Sequence, residues 1–213
     1  MMLKKFYLVL AVTSSSVIAN ANITTISPFS GTLSETFESF PNYLTGPVYQ
    51  PEPISIMGGF ASLDSSIDRL AIYQPPTASF LLGGSGSAKV SDGVKGIGLD
   101  GTGTITITFL SDQSQIGGYW GLATNGGASN ATVSFYDASQ VLVGSTTFSY
   151  DHDISGDGIL DWNGWKSDSA FRSVVISGSF VAIDGLQANA VPEPASIAVL
   201  AIGALAFLKR KQK

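Results

Sequence analysis

The sequence predicts an all-β fold, a jelly-roll-like two-sheet β-sandwich flanked by an N-terminal signal helix and a short C-terminal transmembrane helix. Three observations favour the sandwich. Apolar and polar residues alternate in several short runs, and the 24 glycines tend to separate these runs. No internal stretch sustains the apolar spacing of an amphipathic helix over three turns. The interior, roughly 170 residues long, suits two packed sheets better than a small barrel.

The clearest strand is "GTGTITITF", in which Ile105, Ile107 and Phe109 alternate with threonines. This is the period of a strand with one buried face. Before it, the Pro- and Gly-rich residues 41–60 predict an irregular loop or an edge segment.

A hairpin is predicted by "ATVSFYDASQVLVGSTTFSY". Val133 and Phe135 point inward, "DASQ" forms the turn, and the chain returns through Val141 and Val143. The following "RSVVISGSFVAIDGLQ" predicts two more strands, divided at Gly178.

Charge and cysteine content exclude several classes of function. Between Asn22 and Ala190 the chain carries five basic and 15 acidic residues, a net charge of −10. A negative field repels phosphate backbones, so we expect no nucleic-acid partner. The same field attracts divalent cations, which remain plausible partners. Without cysteine, the chain has no disulfides, no thiolate metal site and no Cys nucleophile.

The N-terminus has the pattern of an export signal. Lys4 and Lys5 precede an apolar run, and "VIANAN" supplies small residues at Ala19 and Ala21 in the A-x-A arrangement. We expect cleavage after Ala21, which makes Asn22 the first mature residue. The alternatives are a buried first strand and an uncleaved anchor.

The C-terminus, "VPEPASIAVLAIGALAFLKRKQK", combines Pro-Glu-Pro, an apolar run at 195–208 and a basic end. As a helix the run would be about 21 Å long, shorter than a hydrocarbon core of roughly 30 Å, and a packed core element is the alternative. Membrane insertion is favoured because the run is apolar all round and prolines separate it from the domain. Long basic side chains also extend a short span, and here they are Lys209, Arg210 and Lys211.

This three-part segment resembles the PEP-CTERM sorting signal of exported bacterial proteins, with the motif at Val191, Pro192, Glu193 and Pro194. The internal "QPEPISIM" at 50–57 lacks both the apolar run and the basic tail. The resemblance implies cleavage near the motif by a membrane-embedded exosortase, which leaves the apolar helix behind. It also implies a bacterium that makes extracellular polysaccharide and biofilm matrix.

A second resemblance covers "YWGLATNGGASNATVSFYDASQVLVGSTTF" and "SFVAIDGLQANAVPEP". These segments look like the jelly-roll domains that often precede this sorting signal. Related jelly rolls in carbohydrate-binding modules hold a structural calcium between their first and last strands. Carried over, that resemblance implies Glu38 and Asp184 as calcium ligands.

A further calcium candidate is "DHDISGDGILDW", the densest acidic stretch. Asp153, Ser155, Asp157 and Asp161 occupy positions 1, 3, 5 and 9 of an EF-hand-type loop, with a glycine at position 6. Gly164 stands where the closing glutamate of such a loop belongs, and an exposed Asp/Gly turn is the alternative.

Catalytic patterns are weak, and we predict no catalytic residues. His152 is the only histidine, and no serine lies in a G-x-S-x-G motif. "GIGLDG" matches a dinucleotide fingerprint, but a strand pattern follows it where a helix is required. Two carboxylates across a cleft, as in glycoside hydrolases, are the enzymatic alternative.

Aromatic residues are candidates for a sugar-stacking surface. Trp120 is expected in the core. Trp162 and Trp165 lie in the polar "LDWNGWKSD" and are the candidates for exposed ligand aromatics, with Tyr119 as a further candidate; packing in the sandwich core is the alternative.

Three parts result: a signal peptide at 1–21, a β-sandwich at 22–190 and a sorting and anchor segment at 191–213. We expect an exported surface or matrix protein with a non-enzymatic binding or structural role. Its expected partners are the exosortase, the membrane before cleavage, and polysaccharide. An extracellular glycan-acting enzyme and a permanently tethered protein are the alternatives.

Overall fold

The computed structural model describes residues 21–41, 49–73, 90–122, 128–151 and 159–191. The all-β prediction is confirmed: these residues form strands and one short 3-10 helix, Met57–Gly59, and all strand pairs found among them are antiparallel. The strands are β1 (Ile23–Thr25), β2 (Leu33–Glu35), β3 (Ile54–Ile56), β4 (Ala61–Ser65), β5 (Leu70–Tyr73), β6 (Gly96–Leu99), β7 (Thr102–Leu122), β8 (Ser129–Tyr136), β9 (Leu142–Tyr150), β10 (Asp161–Ser179) and β11 (Val181–Ala190).

Two long strands organise the fold. β7 has 21 residues and β10 has 19, and they pair with each other over most of their length. Their pairing register shifts between Lys166 and Phe171, and again before Ser173. Irregularities of this kind bend a strand and increase its twist, so each long strand contributes to two layers.

The first layer contains the first half of β7 and the second half of β10, in the order β3-β4-β7-β10-β8-β9. The second layer contains their other halves. There β1 pairs with β10, β11 pairs with β7, and β2 and β6 both pair with β11, with β5 beyond β6.

The core lies between the two layers. Phe135 and Phe148 of the first layer pack against Trp165 of the second, with ring centroids 6.5 and 5.2 Å apart. Phe148 also meets Trp120 at 5.6 Å. Since these rings belong to one contiguous buried cluster, the arrangement is consistent with a two-sheet sandwich.

The predicted inward faces are confirmed for Ile105, Ile107, Phe109, Val133 and Phe135, all of which are buried. Trp120 is also in the core as expected, and Val143 is buried on the returning strand.

Val141 was predicted on the returning strand, but it lies just before β9, which begins at Leu142. It is 42% exposed because it belongs to the turn, where its carbonyl accepts a bond from the Asp137 N–H and its own N–H bonds the Asp137 carboxylate.

The predicted division at Gly178 is also wrong. Gly178 lies inside β10 opposite Gly103, and β10 ends one residue later. The break falls at Phe180, which has a φ of 52° and donates its N–H to the Gly101 carbonyl. Gly178 is required for packing, since an added Cβ would come within 2.7 Å of Val181.

The segment 41–60, predicted as an irregular loop or an edge segment, contains the strand β3, which pairs with β4 alone among the described strands. β3 and the 3-10 helix occupy its second half, and residues 42–48 lie outside the described ranges. "GIGL" forms β6 and leads directly into the strand β7, which agrees with the rejection of a nucleotide-binding loop.

Both predicted terminal helices fall outside the described residues, which begin at Ala21 and end at Val191. In the portion of the chain that the structure does describe, no helix has the length and apolarity needed to cross a membrane.

Candidate functional sites

Trp162 is half-buried on the second layer, outside the core cluster. Its ring lies over Gly117 and Gly164, which face each other on β7 and β10. A Cβ added to Gly117 would come within 2.5 Å of the ring, and one added to Gly164 within 2.9 Å. The indole therefore packs directly on the backbone of these two glycines, in space that side chains would otherwise fill.

Two further rings flank Trp162 edge-on. Phe29 lies 5.7 Å away and Tyr119 lies 5.3 Å away, measured between ring centroids, at interplanar angles of 90° and 76°. The Trp162 Nε1–H donates to the Ile26 carbonyl at 3.0 Å, which ties the N-terminal segment to this layer. We call these three rings the aromatic row. All three are partly exposed, and aromatic surface of this kind packs well against the C–H faces of sugars.

Trp165 does not belong to this row, and the prediction that it is an exposed ligand aromatic is wrong. It is 1% exposed and packs in the core against Trp120, Phe135 and Phe148. Side chains three apart on one strand point to opposite faces, so Trp162 outside places Trp165 inside.

Asp184 is fully buried in β11. Its Oδ2 accepts bonds from the Ser91 N–H (2.9 Å), the Ser91 hydroxyl (2.7 Å) and the Asp92 N–H (3.0 Å). Its Oδ1 accepts from the Gly185 N–H at 2.7 Å. Burial raises the pKa of Asp184, and the hydrogen bonds from Ser91, Asp92 and Gly185 oppose that rise. The carboxylate thus fixes the segment that leads into β6.

Glu38 holds the same segment from the other side. Its Oε1 accepts the N–H groups of Val94 (2.8 Å) and Lys95 (2.7 Å). The Lys95 ammonium is buried and donates to the carbonyls of Glu38 (2.8 Å) and Phe40 (2.6 Å). Glu38 and Asp184 are therefore brought to one segment. Its N–H groups bond Oε1 of Glu38 and Oδ2 of Asp184, and the Lys95 ammonium bonds two nearby carbonyls.

Of the EF-hand-type candidates, Asp153, Ser155 and Asp157 lie outside the described residues, and Asp161 is exposed at the start of β10. Calcium binding through these residues, or through Glu38 and Asp184, stays a prediction.

Within the described ranges, one group of three acidic residues could hold a cation: Glu52, Asp64 and Asp68, whose nearest oxygens lie within 4.8 Å of one another. Glu52 accepts bonds from the Ser65 hydroxyl (2.9 Å) and the Leu70 N–H (3.1 Å). Burial, together with the hydrogen bond to Asp64, raises the pKa of Glu52.

The edge where the domain ends is well defined. β11 finishes at Ala190, and the Val191 N–H donates to the Asp112 carbonyl at 3.0 Å. Pro192, Glu193 and Pro194 and the basic residues Lys209, Arg210 and Lys211 follow outside the described residues.

At the other end, Ala19 lies outside the described residues and Ala21 is the first residue inside them. The Ala21 N–H donates to the Val143 carbonyl at 2.8 Å, and the Asn22 N–H donates to Asp168 Oδ1 at 3.0 Å.

Sequence reasoning missed Phe29, Lys95 and the proximity of Glu52 to Asp64 and Asp68. Phe29 is an isolated aromatic in a polar stretch, and the three acids are spread over 17 positions without a motif spacing. Their proximity comes from the pairing of β3 with β4 and the turn beyond it, which no local pattern encodes.

No family model and no curated protein matches the chain. Solved structures resemble it weakly. A DUF4465 family protein from Bacteroides caccae is 12% identical at a TM-score of 0.39, covering 78% of this chain and 99% of that one. The CBM22-1 xylan-binding domain from Paenibacillus barcinonensis Xyn10C is 12% identical at 0.36, covering 78% and 100%. A family 6 carbohydrate-binding module is 14% identical at 0.35, covering 61% and 87%. At TM-scores this low, the likenesses carry no assignment of function.

Proposed function

We propose that the chain is an exported bacterial surface or extracellular-matrix protein, sorted by its C-terminal PEP-CTERM segment and released from it by an exosortase. The folded part is a non-enzymatic binding module for polysaccharide. The observation that carries the sorting proposal is the end of the domain: β11 closes at Ala190, and the motif starts at Val191. A protease can therefore cut at Pro192 to Pro194 without removing a strand.

The proposed first cut, after Ala21, removes the bond from the Ala21 N–H to the Val143 carbonyl and creates a charged contact in its place. It would convert the Asn22 N–H into an α-ammonium, and Asp168 Oδ1 lies 3.0 Å from that nitrogen. A carboxylate in this position favours the charged terminus that cleavage creates.

The sorting proposal is tested by changing the motif in producing cells. We expect the triple substitution P192A/E193A/P194A to leave the chain in the membrane fraction, while the wild-type domain reaches the cell surface or the medium. Pro51→Ala is the matched control, because it alters the internal Pro-Glu-Pro, which no apolar run follows. Release of the triple variant in wild-type amounts would contradict the proposal.

The binding proposal rests on the aromatic row. A ring seated on two glycines is held in place before a ligand arrives, so little side-chain entropy is lost on binding. The domain's net charge of −10 favours neutral glycans over polyanionic ones.

The binding test is affinity electrophoresis in gels containing soluble neutral polysaccharides. We expect Trp162→Ala to raise the dissociation constant obtained from the retardation by about tenfold, equivalent to about 1.4 kcal/mol of binding free energy. Phe60→Ala should leave that constant unchanged. Phe60 is an exposed aromatic elsewhere on the molecule and serves as the control. Equal retardation of wild type and Trp162→Ala, with folding verified by circular dichroism, would contradict a role for this row.

A further inference from the structure

One edge of the domain exposes apolar side chains beside the point where the chain leaves it. Leu110 and Phe60, at 70% and 57% exposure, are the two most exposed large apolar residues in the described ranges. They are neighbours, because the Leu110 N–H donates to the Phe60 carbonyl at 3.0 Å. We call Phe60, Leu110 and Val191 the exit edge.

Val191 belongs to this edge through β7. Its N–H bonds the Asp112 carbonyl, and Asp112 is two residues from Leu110, which is about 7 Å along an extended strand. Val191 is itself 36% exposed. Phe60 and Leu110 therefore lie close along the backbone to Val191, the last described residue, and all three are exposed.

The sequence beyond Val191 limits how far this edge can be from the apolar run. Only residues 192–194 separate Val191 from Ala195, and four steps of extended chain span at most about 14 Å. If residues 195–208 enter a bilayer, the exit edge is held at its surface, within reach of the headgroup layer, which is about 5–7 Å deep on each side.

The charges at this edge permit the contact. Asp112, whose carbonyl accepts the Val191 N–H, is paired with Arg172, with Nε to Oδ1 at 2.8 Å, so its charge is balanced. An uncharged lipid surface also avoids the repulsion that the domain's net −10 would meet at an anionic one.

We propose that the exit edge is a lipid-contact surface. It rests on the bilayer while the C-terminal segment holds the chain there, and it keeps Pro192 to Pro194 at the membrane surface for cleavage. The inference depends on the proposed sorting function, since it requires that residues 195–208 insert. Once the chain is cut, the contact loses its tether and the domain leaves the membrane.

Labelling at single cysteines tests this directly, because the chain contains none of its own. The full chain is synthesised in a cell-free system, with or without phosphatidylcholine vesicles, as three variants carrying an environment-sensitive fluorophore. Leu110→Cys reports on the exit edge and Ala204→Cys on the apolar run. Thr132→Cys is the control, exposed on β8 and level with Thr104, about 20 Å along β7 from Leu110.

With vesicles containing nitroxide lipids, we expect quenching at positions 204 and 110 and none at 132. Quenching at 204 without quenching at 110 would overturn the lipid contact and leave the sorting proposal standing. No quenching at 204 would overturn both. A fluorophore at 110 that is already in an apolar environment without vesicles would show that the chain's own tail covers the edge, which also overturns the lipid contact.

Discussion

Asp184 combines full burial with four hydrogen bonds to its carboxylate. Burial raises its pKa, which in an unfolded chain is about 3.9. Between the unfolded and folded pKa values the native state binds more protons, so stability falls as pH rises through that window. Glu52, whose pKa is also raised, acts in the same direction.

Asp184→Asn therefore has two expected effects. Both Asp184 oxygens accept from donors, and the substitution replaces one oxygen by an NH₂ group that cannot accept. At least one hydrogen bond is therefore lost, and the free energy of unfolding at pH 7 falls by about 1–3 kcal/mol. The decline in stability from pH 4 to pH 7 also becomes shallower, because the titrating group is gone. Urea unfolding at both pH values measures the two effects, and an unchanged pH dependence would contradict the role of Asp184.

The residue scale also shows where sequence patterns fail. The resemblance to jelly-roll domains implied Glu38 and Asp184 as a pair of calcium ligands, and the structure brings both to the segment Ser91–Lys95. It gave no reason to expect that Lys95 would be buried there with two carbonyls, since a lysine in a Gly-rich stretch predicts a solvated surface.

At the scale of elements, β1 is a short strand whose position depends on its partners. It pairs with β10 from Trp165 to Ser167, and the contacts between Asn22 and Asp168 extend that pairing by one residue. Processing after Ala21 would place a positive charge beside Asp168, which couples the N-terminal cut to the stability of this edge.

We expect Asp168→Asn to lower the free energy of unfolding by up to about 1 kcal/mol in a chain that begins at Asn22, because an exposed ion pair is lost. In a chain that continues upstream of Asn22, the nitrogen is an uncharged amide and the loss should be smaller. Urea titrations of Asp168→Asn and its parent, each with and without the residues upstream of Asn22, measure how far the loss depends on the new N-terminal charge. Equal losses of unfolding free energy in both backgrounds would contradict a charge-specific contact.

Alternation predicted the regular parts of the sheets and missed their bends. Ile105 to Phe109 and the β8–β9 hairpin follow a period of two, whereas Ser111 to Gln115 in β7 are polar and irregular where the register shifts. Because an extra residue reverses which face a side chain occupies, the pattern could not show that β7 and β10 continue into the second layer.

At the scale of the whole molecule, the two ends of the domain lie in the second layer, on different strands. Asn22 is beside β10, and Val191 is beside β7. Neither proposed cut removes a strand, so the processed domain keeps all of its described elements.

The most direct test of processing is the intact mass of the protein recovered from producing cells and their medium. The proposed function predicts a species that begins at Asn22 and ends near Pro192 to Pro194. A mature species that retains the chain through Lys213 would contradict it, and would indicate a lasting anchor or a packed C-terminal element.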